Sequence, residues 1–130
     1  MRLFQIALVI DDYDRAIEHY TRDLGFQLIE DTPLSPEKRW VVVDPGGAGS
    51  CRILLAKAKN GEQASRIGNQ TGGRVFLFLH TDDLDRDHQR LLLRGITIVR
   101  EPKVEEYGKV LVFRDAYGNL WDLIEPPAGE

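Results

Sequence analysis

A chain of 130 residues with 42 % hydrophobic and 29 % charged side chains is long enough to bury a core without disulfide or metal staples. Its net charge of −4 lacks the clustered cations that nucleic acid or an anionic membrane demands, so neither is an expected partner. One cysteine, Cys51, cannot close an internal disulfide, and the apolar run Ile6–Ile10 is too short for a signal-peptide core or a membrane span; the expected compartment is the cytoplasm.

Leu3–Ile10 reads as a buried strand, and Asp11 or Asp12 is suited to cap the helix after it, because a short carboxylate accepts from the orphan N–H groups of the first turn. Tyr13, Ile17, Tyr20 and Leu24 recur at helical spacing, which leaves His19 on the polar side with Arg15 and Arg22, and Gly25 stops the helix. Phe26–Glu30, Arg39–Asp44 and Arg52–Ala56 read as strands, the last two joined by the hairpin-like DPGGAGS. Cys51 alternates with Arg52 and is expected to be an inert buried thiol.

Lys57–Gly73 is polar, Gly-rich and without a clear period, and reads as a connector. Arg74–Thr81 is then a strand, Asp83 a cap, and Leu84, His88, Leu91 and Leu92 a helix face that makes His88 a packed histidine. Gly95 ends the helix, and Ile96–Arg100, Lys109–Arg114 and Leu120–Glu125 follow as strands.

The chain thus states one pattern twice. LVIDDYDRAIEHYTRDLGF at Leu8–Phe26 returns as FLHTDDLDRDHQRLLLRGI at Phe78–Ile96, about 71 residues on. The expected fold is α+β, a single domain of two β-α-β-β-β modules at about 1–56 and 74–126 joined by the linker 57–73. Each helix would lie on the outer face of a curved mixed sheet, and the free faces would enclose a cup suited to a small ligand.

The repeat and the closing phrase FRDAYGNLWDLIEP at Phe113–Pro126 resemble the vicinal oxygen chelate superfamily, which holds glyoxalases, bleomycin-resistance proteins and extradiol dioxygenases. Family members usually carry Pro where this chain has Ala116. Turn chemistry alone explains Asp115, Gly118 and Asn119 in that phrase. The resemblance also implies a homodimer.

By the same resemblance a family metal site would draw on the first and last strand of each module, here Gln5, Leu54, Phe76 and Asp122. Only Gln5 and Asp122 carry donors, so the metal site is incomplete and no cofactor is expected. An iron dioxygenase of this type needs two His and a carboxylate. His80 shares strand parity with Phe76 and Phe78 but lies four residues from Phe76, roughly 13 Å along a strand.

Strand parity gathers Gln5, Arg52, Leu54, Phe76, Phe78, His80 and Asp122 on the concave face, with Tyr107 and Trp40 at the rim. That mixture suits a small, partly aromatic molecule with a polar or anionic group. Arg52 would either bind the anion or pair with Asp122, and His80 is the candidate general acid or base. The expected function is small-molecule binding. The alternative is a glyoxalase-like lyase or isomerase with a divalent metal on Gln5 and Asp122.

Overall fold

In the computed structural model, which describes residues 1–128, the elements run β1 (Gln5–Ile10), α1 (Tyr13–Glu18), β2 (Gln27–Pro33), β3 (Arg39–Asp44), β4 (Arg52–Lys57), α2 (Gly61–Ala64), β5 (Leu77–His80), α3 (Leu84–Leu93), β6 (Thr97–Glu105), β7 (Gly108–Arg114) and β8 (Leu120–Glu125). The fold is α+β, with the β-α-β-β-β order present twice. Two compact units divide between Ile67 and Gly68, inside the expected connector, which also holds the short helix α2.

The first unit is a four-stranded mixed sheet in the order β1-β4-β3-β2, and the second repeats it as β5-β8-β7-β6. In each, the first strand runs parallel to the fourth and the remaining pairs are antiparallel. The second strand of each carries a bulge at the same place. The register slips between Leu28 and Glu30 in β2 and between Ile98 and Arg100 in β6. A bulge adds one unpaired residue and increases local twist.

Both helices begin on the same device. Asp12 is extended and accepts the Arg15 backbone N–H at 2.9 Å, while Asp83 accepts that of Arg86 at 3.0 Å. The preceding Asp of each copy holds the same Arg by its side chain, Asp11 at 2.7 Å and Asp82 at 2.8 Å. A third Asp straps each helix to its sheet, Asp14 to Arg39 at 2.9 Å and Asp85 to Lys109 at 3.3 Å.

After Glu18 the first helix widens into a π turn, His19–Asp23, in which the Leu24 N–H reaches back five residues to the His19 carbonyl at 3.2 Å. The buried stripe runs Tyr13, Ala16, His19 and Tyr20, at helical spacing and centred on Ala16 rather than Ile17. His19, expected on the polar side, is only 5 % exposed, and its Nδ1 lies 3.0 Å from Asp23 Oδ2. Cys51 is half-buried rather than enclosed.

Leu8, Ile10, Val41, Val43, Ile53 and Leu55 form the buried side of the first sheet, under Tyr13, Ala16 and Tyr20. In the second unit Leu111, Phe113, Trp121 and Leu123 are buried with Leu84 and Leu91 of α3, and Phe113 stacks on Trp121 at 5.9 Å. The turn between β7 and β8 is built around Asp115, which is 3 % exposed and whose carboxylate accepts hydrogen bonds from both backbone and side chains. Its donors include the backbone N–H groups of Tyr117 and Asn119, the Asn119 amide and the Trp121 indole.

Candidate functional site

With one side of each sheet packed beneath its helix, period two leaves a second row of side chains on the opposite face. In the second unit one row runs Phe78, Asp122, Val112, Arg100, each the register partner of the next. Phe78, on the edge strand β5, is 64 % exposed, a large apolar side chain left open to solvent. His80 pairs in register with Ile124, and the N–H of Phe76 donates to the Leu120 carbonyl at 2.8 Å.

Asp122 is the polar centre of this face. Its Oδ1 is buried and has no hydrogen-bond partner among the described residues, and burial pushes its carboxyl above the usual carboxylate range while the Arg100 charge pulls part of the way back. Arg100 was not anticipated from sequence, because the β6 bulge upsets the alternation that would place it there.

In the first unit Gln5 pairs in register with Arg52, and Ala7 with Leu54, which in turn faces Val42. Leu54 therefore stands two residues along from Gln5, just as Asp122 pairs with Phe78 and not Phe76. The four family positions are thus equivalent in the two copies. The Arg52 guanidinium lies 3.8 Å from Asp44, an acid of its own unit. Arg52, Asp44, Arg2, Phe4 and Ser50 line a recess of about 460 Å³.

The donor set does not suit a metal centre. Leu54 and Phe76 have no lone pairs to offer, Gln5 and Asp122 supply one side chain per unit, and no cluster of three His, Cys, Asp or Glu exists among the described residues. His19 is held by Asp23, whose carboxyl burial would raise but which hydrogen bonds from His19 and Arg22 hold below the ordinary value. His88 is largely buried, with Nε2 3.8 Å from Glu101. His80 is exposed, and its ring has no hydrogen-bond partner among the described residues and therefore no carboxylate to orient it as a base. Tyr107 projects from the β6–β7 turn, 57 % exposed, and Trp40 is half-buried beside Thr32.

The sequence matches the family described as the glyoxalase/bleomycin resistance protein/dioxygenase superfamily over residues 2–123. An uncharacterized protein of Shewanella frigidimarina is 55 % identical over 124 residues, covering 95 % of this chain and 92 % of that one. The crystal structure of UcmS2 superposes with a TM-score of 0.83 at 28 % identity, over 96 % of this chain and 98 % of that one. TnmS3, described as an antibiotic binding protein from Streptomyces sp. CB03234, gives a TM-score of 0.77 at 28 % identity, over 98 % and 97 % of the two chains.

Proposed function

Since this chain belongs to the glyoxalase/bleomycin resistance protein/dioxygenase superfamily, we propose that it is a small-molecule-binding protein that works without the family's metal. One observation carries this reading: two family metal positions are hydrocarbon, Leu54 and Phe76, while an exposed Phe78 stands beside Asp122. Covering a large apolar side chain contributes on the order of 1.5–3 kcal/mol, so a ligand that buries Phe78 gains much of its affinity there. The antibiotic-binding description of TnmS3 supports the same class of ligand.

Phe76 and Phe78 take the aromatic or apolar part of the ligand, and Asp122 and His80 its polar groups. In the first unit Gln5, Arg52 and Leu54 present the equivalent face, and Tyr107 closes the rim. The protein sequesters its ligand in the cytoplasm as a homodimer.

The test is a thermal-shift screen of aromatic antibiotics and small aromatic carboxylates in the presence of a chelator, followed by calorimetry on the hits. Ligands of the native state raise the midpoint by mass action. Binding that survives chelation and weakens by about tenfold or more in Phe78→Ala supports the reading. Stoichiometric nickel, zinc, manganese or iron in gently purified protein, with binding lost on chelation, would overturn it.

A further inference from the structure

A smaller recess, about 120 Å³, lies in the second unit where the segment leading to β5 meets the β7–β8 turn. Its floor is backbone at close approach. A Cβ on Gly68 would sit 1.8 Å from the Tyr117 carbonyl oxygen, and Gly118 takes φ +104 against it. The volume corresponds to about four waters of liquid.

Two arginines, Arg74 and Arg114, line this recess, and neither has an ion-pair partner among the described residues. Half of the chain's arginines do have one, Arg15, Arg22, Arg39, Arg52, Arg86 and Arg90. The acid next in sequence, Asp115, turns its oxygens to the turn and to Trp121.

Asn119 also lines the recess. It is 3 % exposed, and its Nδ2 is fixed on Asp115 at 3.0 Å, which leaves a buried Oδ1 without a hydrogen-bond partner among the described residues. A buried acceptor left open calls for a donor. Guanidinium forks bind carboxylate and phosphate oxygens in two parallel hydrogen bonds.

The geometry points to an oxyanion subsite in this recess, formed by Arg74 and Arg114 with Asn119 Oδ1 accepting from the ligand, so that the group it takes is a small oxyanion carrying its own hydrogen-bond donor. A hydroxycarboxylate and a monohydrogen phosphate share that chemistry. Phe76 and Leu120 complete the wall, and Phe76 also belongs to the face discussed above. The subsite therefore deepens the small-molecule reading by naming the acid end of the ligand, and it rests on that reading for its biological meaning.

Amide NMR titrations of the whole protein with glycolate, phosphate, acetate and sulfate at fixed ionic strength test it. Saturable shifts at Gly68, Gly73 and Gly118 with glycolate or phosphate, each tighter than acetate or sulfate, are expected. Glycolate as the tighter ligand assigns the subsite to hydroxycarboxylates, and phosphate as the tighter one to phosphorylated compounds. Arg114→Gln weakens this binding by about tenfold or more, the consequence of losing a charge-assisted hydrogen bond, with the remaining spectrum unchanged. Arg74→Gln is the second variant and behaves alike. Equal binding of all four anions, absence of localised shifts, or undiminished affinity in both variants would overturn the proposal. The aromatic screen is a separate measurement, so either result stands when the other fails.

Discussion

Trp121 donates its indole N–H to the buried carboxylate of Asp115 at 2.9 Å, joining the core of the second unit to the turn between β7 and β8. Removing one partner of a buried hydrogen bond costs the desolvation of the other as well as the bond. Asp115→Asn puts an amide where several donors converge, and is expected to destabilise the protein by about 3 kcal/mol or more, because bonds to a charged acceptor are among the stronger ones. Trp121→Phe leaves an aromatic ring against Phe113 but removes the indole donor and opens space at a fully buried position, so about 2–4 kcal/mol is expected. Urea unfolding followed by circular dichroism measures both.

The repeated caps make an internally controlled pair. Asp12→Ala and Asp83→Ala should each cost about 1 kcal/mol, since each removes one N-cap acceptor from its helix. Asp82→Ala, which removes only the exposed ion pair to Arg86, should cost less, and its effect should fade with added salt while the cap effects persist. Chemical denaturation at low and high ionic strength separates the two classes.

Two aspartates should give pH dependences of opposite sign. Hydrogen bonds from Arg39 hold the folded Asp31 carboxyl below its ordinary 3.8. Its contribution is therefore complete above pH 3.8 and is lost as acid reaches the depressed folded value. Asp31→Asn should be less stable than the wild type at neutral pH by no more than about 1 kcal/mol, as suits an exposed pair, with the gap closing in acid. Asp122 is raised in the folded state by burial, so its ionisation opposes folding once pH climbs past 3.8 toward the folded value. Asp122→Asn should melt higher than the wild type at neutral pH and lose that advantage below pH 3.8. Melting curves across the acid range decide each case.

Gly68 and Gly108 are close approaches of chain to chain. A Cβ would stand 1.8 Å from the Tyr117 carbonyl oxygen in one case and 2.2 Å from that of Glu125 in the other, and both residues have positive φ. Alanine at either should cost about 2 kcal/mol or more, combining steric and backbone strain. Gly47 has neither feature, and Gly47→Ala should be near neutral in the same denaturation assay.

Much of the scaffold was legible because it depends on local chemistry. Asp12 and Asp83 announce their helices by residue type, Gly25 and Gly95 end them, and β3 runs Arg39–Asp44 as its alternation and flanking turns suggested. Three features resisted. The buried helix face centres on Ala16 rather than Ile17, which turns His19 inward; the β6 strand continued through Pro102 to Glu105 because Pro is tolerated on a sheet edge; and bulges reset the parity that brings Arg100 into the row of Val112 and Asp122. Side-chain pairing was harder still, as the Arg52 contact with Asp44 depends on the closeness of two strand ends and on no motif.

The threefold aspartate device at the head of each helix takes these partners from its own unit: Arg15 and Arg39 in one, Arg86 and Lys109 in the other. Helix anchoring in one half is thus insulated from substitutions in the other. Selection can rework the binding chemistry of one half while the other keeps its inherited form, and Leu54 and Asp122, at matching places in two copies of one pattern, record that freedom in a single isopropyl-for-carboxylate divergence.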